Sequence, residues 1–434
     1  MRSRVVLLLA MLAGCGNETV GVAPGSGAAG ASGGAVASGA GGSGSVAGVA
    51  STPGAAAGMS GQALGGVAGV SGAGGSSGTA GNGGDAAGGS GTTAGAGAGG
   101  QALGGAGGAT ACGEPTTLKA AAACTGRRAG VALRADRLSD PEYAERALQF
   151  NYVTPENEMK WDVTEPTPGG FDFTQGDAIV AFAASNGMKV KGHTLLWHNQ
   201  LPGWLTSLTD ASEVRAAMVR HIRGVMQHYQ GKVVAWDVVN EAFDDNGVLR
   251  NSVFNSTIGK SFIEEAFKAA READPDVKLY YNDYDIESAY PKADAVYAMV
   301  ADLKARGVPI DGVGMQMHTR NTNEDPPLPE LIANLERLLK LGVEVIISEM
   351  DVRLCADGTL AQQAQRFHDI VAACVARPGC GDVTVWGITD KYSFLNDRND
   401  LQCAGAELPR PLLWDAAYTQ KPAFDSLLAA LAGK

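Results

Sequence analysis

Two glutamates end apolar, β-rich segments of this sequence and could carry out acid–base chemistry together. Glu241 closes the segment WDVVNE, and Glu349 lies within IISEMD. If the fold brings both side chains to one cavity, one carboxyl group can protonate a leaving group while the other attacks carbon or activates water. Paired carboxylates of this kind are typical of glycosidases. The alternative is that each glutamate forms half of an ordinary salt bridge.

The signatures of other reactions and of cofactors do not fit. Residues 112–434 contain none of the motifs GxSxG, HExxH or GxxxxGK[ST]. A GxGxxG match at 25–30 lacks the strand and helix that a dinucleotide site needs. The six histidines are scattered, and no pair of them has a further Cys or His at the spacing of a zinc site. We therefore predict neither metal nor cofactor, and we expect His221 and His228 at ordinary, partly exposed helix positions.

Eight short β-rich segments alternate with amphipathic segments that have helical spacing. The β-rich segments are Ala129–Leu133, Tyr152–Thr154, Lys189–Leu196, Val233–Asn240, Lys278–Asn282, Gly312–His318, Glu344–Glu349 and Val383–Ile388. The helical segments include Ser212–Tyr229, Ile263–Ala273, Lys292–Arg306, Leu331–Leu341 and Ala361–Ala376. Eight βα units predict an α/β fold of the (β/α)₈ barrel type. A doubly wound open sheet is the alternative, but it usually has fewer strands and a phosphate loop.

The active site of such a barrel lies at the C-terminal ends of its strands. Glu241 and Glu349 end the fourth and seventh predicted strands, so they should face each other across the barrel mouth. Trp197, Trp204 and Trp386 lie at or after strand ends, where a flat ring can stack on a sugar. Trp161 and Trp236 lie within or beside packed segments. We expect these last two in the core.

The N-terminus has the features of a bacterial export signal. Arg2 and Arg4 precede an apolar run, Val5–Ala13, which is too short to span a bilayer. The run leads into Leu-Ala-Gly-Cys15, which resembles a lipobox. We predict a signal peptide over 1–14, lipid on Cys15 and anchoring at the cell envelope, with Gly16 favouring the outer membrane or cell surface. An ordinary secretory signal with a chance cysteine is the alternative.

Residues 15–111 form a segment that we expect to be disordered. Residues 1–111 hold 37 of the 60 glycines, and residues 16–111 contain no aromatic residue and only two charges, Glu18 and Asp85. Such a chain buries too little apolar surface to offset its conformational entropy. It is therefore predicted to be a Gly/Ala/Ser-rich linker, which leaves one folded domain over 112–434.

The net charge of −12 belongs to that domain, because the charges of the first 111 residues cancel. An acidic domain without a Lys/Arg tract argues against nucleic acid or an anionic membrane surface as partner. A largely neutral ligand fits better. We expect a monomer whose one membrane contact is the lipid on Cys15.

Seven cysteines occur, so lipidation of one leaves six in an exported chain, where disulfides form. Cys374 and Cys380 flank a Pro-Gly turn and should close a small loop. The most economical remaining pairs are Cys112 with Cys124 and Cys355 with Cys403. Other connectivities stay open, and buried free thiols are the alternative.

Five segments, taken in order and spacing, resemble family 10 of the glycoside hydrolases, the endo-1,4-β-xylanases. They are TPENEMKWD, GHTLLWHNQLPGWL, WDVVNEAF, IISEMD and VWGITDKYSF. The resemblance runs from about Leu118 to the C-terminus. It implies a barrel enzyme that cuts xylan internally with retention, with Glu241 as acid/base and Glu349 as nucleophile. Retention requires the two carboxyl groups about 5–5.5 Å apart.

The resemblance also implies roles for the residues around this pair. Asn240 would hydrogen-bond the sugar 2-hydroxyl, and Gln316 would support Glu241. His318 and Asp351 would orient and tune Glu349. Trp386 would cover the sugar at the cleavage point, and the loop Cys374–Cys380 matches a disulfide of the family. The residues that would bind xylose on the non-reducing side are Glu156, Asn157, Lys160, His193, Trp197 and Gln200.

The chain departs from the family pattern at Phe394, where a second tryptophan is usual. In the family that tryptophan helps wall the space where the hydroxymethyl group of a glucoside would lie. Phenylalanine is smaller and lacks the indole N–H, so we expect slightly looser discrimination against glucosides. Two alternatives to a xylanase remain. One is a β-1,4-glucan-active barrel, and the other is a non-catalytic xylan-binding surface protein.

Overall fold

The computed structural model describes residues 113–321, 326–355, 358–398 and 409–434. The predicted signal peptide, Cys15 and the linker, as well as Cys112 and Cys403, lie outside these residues. Within the described ranges, no helix has both the length and the apolar content needed to cross a bilayer.

Nine parallel strand segments occur in the described residues, and eight of them close into a barrel. They are β1 (Ala129–Leu133), β2 (Tyr152–Pro155), β3 (Lys189–Gly192), β4 (Val233–Asn240), β5 (Lys278–Asp283), β6 (Gly312–Met315), β7 (His318–Arg320), β8 (Glu344–Arg353) and β9 (Cys380–Val385). Neighbours pair in sequence from β1 to β6, β6 pairs with β8, β8 with β9, and β9 returns to β1. The short β7 pairs only with the end of β8. The predicted (β/α)₈ barrel is confirmed.

Helices connect the strands around the outside of the barrel. Those of the described residues are α1 (Leu118–Cys124), α2 (Pro141–Ala147), α3 (Trp161–Thr164), α4 (Thr174–Ser185), α5 (Gly203–Thr206), α6 (Ala211–Tyr229), α7 (Val253–Thr257), α8 (Ser261–Ala273), α9 (Pro291–Ala305), α10 (Leu328–Leu339), α11 (Leu360–Val375) and α12 (Pro422–Leu431). Three short 3₁₀ turns cover Ala135–Arg137, Asp390–Tyr392 and Phe394–Asp397. The five predicted helices are present, and each begins one to three residues earlier than its predicted start.

Several helix starts follow from local capping chemistry. The side chain of Asp210 accepts hydrogen bonds from the backbone N–H groups of Ser212 and Glu213 at the start of α6. Thr359 and Gln362 form a capping box at the start of α11. These side chains satisfy donors that an isolated helix end leaves unpaired.

The strand ends differ most from the prediction. The sixth predicted strand is interrupted at Gln316–Met317, because Met317 adopts a left-handed φ of 65° and turns the chain before β7. The third strand ends at Gly192, although Leu196 still bridges to Val239. Both irregularities lie at the end of the barrel that carries the polar residues.

The barrel interior changes from apolar to polar along the strands. Alternate residues of a strand share a face. Ala235, Tyr280 and Ile346 form a small apolar cluster separate from the main core. Two residues further along the same strands are Asp237, Asn282 and Ser348, all fully buried. The polar layer therefore lies directly under the ends of β4, β5 and β8.

Candidate active site

A cavity of about 1210 Å³ opens at the C-terminal ends of the barrel strands. Thirteen of the fourteen residues predicted for catalysis or sugar binding line it. They are Glu156, Asn157, Lys160, His193, Trp197, Gln200, Asn240, Glu241, Gln316, His318, Glu349, Trp386 and Phe394. The fourteenth, Asp351, is buried and bonded to His318 behind the cavity wall. The fold thus brings together residues that are more than 230 positions apart in the chain.

Glu349 is a buried carboxylate held in its ionised form. Burial alone would raise its pKa, but the hydrogen bond from His318 and the electrostatic effect of His193 lower the pKa to about 2. The Nδ2 group of Asn282 also donates to Oε1 of Glu349 at 2.6 Å. An ionised carboxylate aimed into a cavity is suited to attack an electrophilic carbon.

His318 is the positively charged partner of Glu349. Its Nδ1 lies 2.6 Å from Oδ2 of Asp351, and its Nε2 lies 3.4 Å from Oε2 of Glu349. Burial lowers the pKa of His318, but the two carboxylates outweigh burial and raise it to about 10. Both ring nitrogens therefore carry protons at neutral pH, and each donates toward a carboxylate.

Glu241 occupies a different environment at the end of β4. Its Oε2 accepts a hydrogen bond from the indole N–H of Trp197 at 2.9 Å, and its Oε1 accepts one from Gln316 at 2.9 Å. Its backbone adopts a left-handed φ of 52°, which is unusual for a residue other than glycine. The backbone N–H of Glu241 donates to the carbonyl of Asn282 at 2.9 Å, and the Nε of Arg250 donates to the backbone carbonyl of Glu241 at 3.1 Å. These contacts hold the strained residue and aim its carboxyl group into the cavity.

Two asparagines link the carboxylates. Asn240 donates to Oε1 of Glu241 at 3.2 Å, and Asn282 donates to Oδ1 of Asn240 at 2.8 Å and to Glu349. Ser348 donates to Oδ1 of Asn282 at 2.6 Å and so orients that amide. The relative placement of Glu241 and Glu349 is therefore determined by a continuous hydrogen-bonded chain.

A buried ionic group lies beneath this chain. Lys191 and His193 both contact Oδ2 of Asp237, at 2.6 and 2.9 Å. His193 also lies 4.0 Å from Glu349. Sequence reasoning missed Lys191 and Asp237, although a charged residue in the middle of a buried strand was an available signal.

The predicted sugar-binding residues that follow β2 and β3 form one hydrogen-bonded group. Lys160 donates to Asn157 at 3.0 Å and to Gln200 at 2.8 Å, and its ammonium lies 4.7 Å from the centre of a Trp197 ring. Burial raises the pKa of Glu156 to about 7 against the opposing effects of Arg134 and Lys160. This wall presents polar groups beside the face of an aromatic ring, which is the composition that binds sugars.

Aromatic rings close another part of the cavity. Trp386 packs edge-on against His193, with ring centres 5.3 Å apart. Phe394 lies 5.2 Å from the ring of His318. Phe394, which stands where the family usually has a tryptophan, thus lies next to His318, the charged partner of Glu349. Trp161 and Trp236 are buried in the core, as predicted.

Two predictions from the sequence are wrong. Trp204 does not line the cavity, because it packs on Trp161 and donates to the carbonyl of Glu165 at 3.2 Å. His221 is fully buried rather than partly exposed, because it bonds Glu165 at 3.0 Å and stacks on Trp161. His228 is partly exposed, as expected. Helical spacing identified the position of His221 on its helix but not the acidic partner that approaches it from elsewhere.

One of the predicted cysteine pairings falls wholly within the described residues, and it is confirmed. Cys374 and Cys380 are joined by a disulfide. Cys124 and Cys355 are each disulfide-bonded, and their predicted partners, Cys112 and Cys403, lie outside the described residues. No group of three or more His, Cys, Asp or Glu placed to hold a metal occurs in the described part of the chain.

Further residues that the sequence did not single out line the same cavity. Arg250 and Tyr284 are hydrogen-bonded at 2.6 Å beyond Glu241. Lys292 is fully buried against Asp283, at 2.9 Å. Arg134, Arg137 and Lys391 line the wall formed by the loops after β1 and β9. The sequence feature that could have identified these residues was only their location in the segments that follow predicted strands.

Comparison with known proteins agrees with this geometry. The family model described as Glycosyl hydrolase family 10 matches residues 117–430. The Endo-1,4-beta-xylanase D of Talaromyces funiculosus is 42% identical over 309 residues, which cover 70% of this chain and 74% of that protein. The Endo-1,4-beta-xylanase C of Phanerodontia chrysosporium is 40% identical over 307 residues, covering 69% of this chain and 75% of that protein.

Solved structures show the same relationship. Native xylanase 10B from Thermotoga maritima is 40% identical and superposes with a TM-score of 0.68, covering 73% of this chain and 98% of that one. Xylanase 10B from Thermotoga petrophila in complex with xylobiose is 39% identical, with a TM-score of 0.69 and coverage of 73% and 97%. This chain therefore belongs to glycosyl hydrolase family 10 and is a glycoside hydrolase.

Proposed function

We propose that the protein hydrolyses internal β-1,4-xylosidic bonds of xylan with retention, using Glu349 as nucleophile and Glu241 as general acid/base. The observation that carries the assignment is the contrast between the two carboxyl groups. A protonated His318 holds Glu349 ionised, whereas the hydrogen-bond donors to Glu241 among the described residues are the neutral Trp197, Gln316 and Asn240. The imidazole nearest to Glu241, that of His198, lies 4.0 Å away, and burial lowers its pKa. Glu349 is held without a proton to give, so we assign the acid/base role to Glu241.

The first step forms a covalent intermediate. A carboxylate oxygen of Glu349 attacks the anomeric carbon while Glu241 gives its proton to the glycosidic oxygen, so that the bond to the leaving sugar breaks. The leaving chain departs as a neutral alcohol. Glu241 becomes a carboxylate, and Glu349 is esterified to the remaining sugar.

The second step reverses these roles. Glu241 takes a proton from water, the resulting oxygen attacks the anomeric carbon, and the bond to Glu349 breaks. The enzyme returns to its starting protonation state, and the product keeps the configuration of the substrate. Asn240 is placed between the two carboxylates, where an amide can bond the sugar 2-hydroxyl in both steps.

The choice of xylan rests on the xylanases to which the chain is similar and on the wall built from Glu156, Asn157 and Lys160. The structure of the Thermotoga petrophila relative holds xylobiose, and a Thermoanaerobacterium saccharolyticum relative holds xylotetraose. A β-1,4-glucan-active enzyme is the second candidate, favoured only by Phe394. A non-catalytic xylan-binding protein has no need for both carboxylates.

The test is release of reducing ends from xylan by the wild type, Glu349→Ala and Glu241→Ala. A matched control is Glu145→Ala, since Glu145 is an exposed glutamate on the outer surface of α2. We expect full activity in the control and a loss of at least about a thousandfold for Glu349→Ala. Full residual activity in Glu349→Ala would overturn the mechanism, and greater release from β-glucan than from xylan would favour the second candidate.

We further propose that the enzyme is exported and held at the cell envelope, on the outer membrane or cell surface, by lipid on Cys15. The support is the sequence alone, in which a short apolar run ends at Cys15 and a Gly/Ala/Ser-rich linker follows. A flexible linker of that length has an r.m.s. reach of about 50–60 Å. It would let a monomeric barrel act on polymer that is too large to diffuse to the membrane.

This anchor is tested by expressing the full chain and Cys15→Ser in a bacterial host. We expect the wild type to occur in the membrane fraction and to be labelled by a fatty acid. Cys15→Ser should be absent from the membrane fraction and should carry no label. Equal distribution of the two proteins would remove the lipid anchor and leave the catalytic assignment untouched.

A further inference from the structure

The cavity reverses the charge balance of the protein. The whole chain has 34 Lys and Arg against 46 Asp and Glu. Among the described residues that line the cavity, however, there are nine Lys and Arg against six Asp and Glu. Lys160, Arg250 and Lys292 have partners already described, so the excess has to be judged by where the other cations lie. An acidic surface around a cationic cavity favours a ligand with negative charge at specific points.

Three of these cations meet where the loops after β1 and β9 lie side by side. We call this the cationic corner; it consists of Arg134, Arg137, Lys391 and Tyr392. The guanidinium of Arg137 lies 4.4 Å from the centre of the Tyr392 ring, and the ammonium of Lys391 lies 4.7 Å from it. All four residues line the cavity. β1 and β9 are paired neighbours in the barrel, so the pairing of two strands brings the residues of the corner together.

The acidic residues near the corner balance Arg134, on which Asp136, Glu156 and Glu158 all act, more closely than Arg137 and Lys391. Asp136 holds Arg134 through two hydrogen bonds, at 3.1 and 3.0 Å, and reaches Arg137 only at 3.4 Å. Asp140 lies 4.0 Å from Lys391 and accepts a hydrogen bond from Tyr418 at 2.7 Å. The side chains of Arg137 and Lys391 are 33% and 44% exposed, so their charges are available to a ligand.

The corner adjoins the wall assigned to sugar binding. Arg134 follows β1 and Glu156 follows β2, and these strands are paired neighbours. The positive charge of Arg134 acts directly on Glu156. A sugar chain that lies along Glu156 and Lys160 would thus direct one side of its rings toward Arg137 and Lys391.

We propose that the cationic corner binds the carboxylate of a uronic-acid branch on the xylan backbone, so that the enzyme prefers acidic xylan to unbranched xylan. The inference rests on the proposed function, because it places the branch relative to the cleaved bond. Arg137 offers a planar donor set that suits a carboxylate, and Lys391 adds a second charge across Tyr392. The branch lies on the non-reducing side of the cut, since Glu156 and Lys160 are assigned to that side.

The experiment compares three xylo-oligosaccharides of equal backbone length, which are unbranched, branched with a glucuronic acid and branched with a neutral arabinose. The readouts are the ratio of kcat/KM between substrates and the position of the branch in the products. For the wild type we expect the acidic substrate to have the highest kcat/KM. We also expect the acidic branch in the product that carries the new reducing end.

Arg137→Gln and Lys391→Gln should each lower the acidic-to-unbranched ratio about three- to tenfold, as suits a half-exposed charge pair. Arg137→Lys should keep most of the preference. Arg223→Gln is the matched control, since Arg223 is a half-exposed arginine on α6 outside the cavity. The wild-type ratio should also fall when the salt concentration rises from about 0.05 to 0.5 M, because exposed charges are then screened.

The outcomes separate this proposal from the proposed function. An unchanged ratio in both glutamine variants, or a branch found only on the other side of the cut, would overturn the cationic corner while leaving a working xylanase. Similar losses on the arabinose-branched substrate would show a response to bulk rather than charge and would also overturn it. No hydrolysis of any of the three substrates would instead overturn the proposed function.

Discussion

The imidazole of His318 lies 3.4 Å from the carboxylate of Glu349, and both side chains are charged at neutral pH. Burial opposes each charge, so each depends on charged neighbours: Asp351 and Glu349 for His318, and His318 and His193 for Glu349. Asp351 completes the arrangement at 2.6 Å from the second ring nitrogen. The proposed nucleophile is thus kept ionised by a buried ion pair rather than by exposure to solvent.

His318→Gln should move the acid limb of the kcat/KM profile to higher pH. In the wild type the pKa of Glu349 is about 2, so protonation inactivates the nucleophile only at very low pH. Without the imidazolium, burial dominates, and we expect the limb to move by at least about two pH units. The measurement is kcat/KM on an aryl-xylobioside between pH 2 and 8, with His368→Gln, a surface histidine, as the control. An unmoved acid limb would contradict the ion pair.

The same variant should lose stability in a defined pH window. Glu349 has a depressed pKa, so its contribution is complete above the ordinary value of 4.5 and is lost as the pH falls through about 2. His318 has a raised pKa, so its contribution is complete below 6.5 and is lost as the pH rises through about 10. Both contributions are complete between pH 4.5 and 6.5. In this window we expect His318→Gln to lower the free energy of unfolding by about 3–5 kcal/mol, and we expect a smaller loss at lower and at higher pH. Denaturant titrations at pH 3, 5.5 and 9 test this, and a cost independent of pH would exclude it.

Gly314→Ala should disturb the asparagine that links the two carboxylates. A Cβ at this position of β6 would lie 2.2 Å from Oδ1 of Asn282 and 3.1 Å from Oγ of Ser348. Asn282 would have to move away from Glu349, so we expect kcat to fall at least about tenfold and the free energy of unfolding to fall by about 1–3 kcal/mol. Gly203→Ala is the control, because its Cβ would meet no atom within 4 Å. Equal kinetics in the two variants would show that Asn282 does not position the nucleophile.

Glu241→Ala should damage the cleavage of poor leaving groups most. A sugar leaving group needs the proton of Glu241, whereas a nitrophenolate leaves without one. We expect kcat/KM on xylan to fall by at least about a thousandfold and kcat/KM on an activated aryl-xylobioside to fall far less. Equal losses on both substrates would argue against the acid role. Glu349→Ala should show such equal losses, because both substrates need the nucleophile.

Phe394→Trp should sharpen discrimination against glucosides. Phe394 packs beside His318, 5.2 Å between ring centres, and a larger ring there would reduce the space for a hydroxymethyl group. We expect the ratio of activity on aryl-cellobioside to aryl-xylobioside to fall, and Phe394→Leu to change it in the opposite direction. An unchanged ratio in Phe394→Trp would remove the specificity role of this position.

Much of the fold and site could be predicted because the relevant signals are local. A buried parallel strand is a short apolar run, and an outer helix has a 3.6-residue period, so eight alternations indicated the barrel. Since such barrels place function at strand ends, position favoured Glu241 and Glu349 as a catalytic pair, and the resemblance to family 10 implied the role of each. His221 was misjudged because its burial depends on Glu165, which lies 56 residues earlier in the chain.

What the sequence by itself determined was the barrel, the placement of Glu241 and Glu349 at strand ends and the linker-like composition of the first 111 residues, because each depends on residue type and short-range spacing. Only the tertiary structure decided the ionisation of Glu349, the link through Asn282 and the cationic corner. Those properties arise from atoms a few ångströms apart on different strands. Electrostatic and hydrogen-bond energies depend on distance and burial, which no linear spacing specifies.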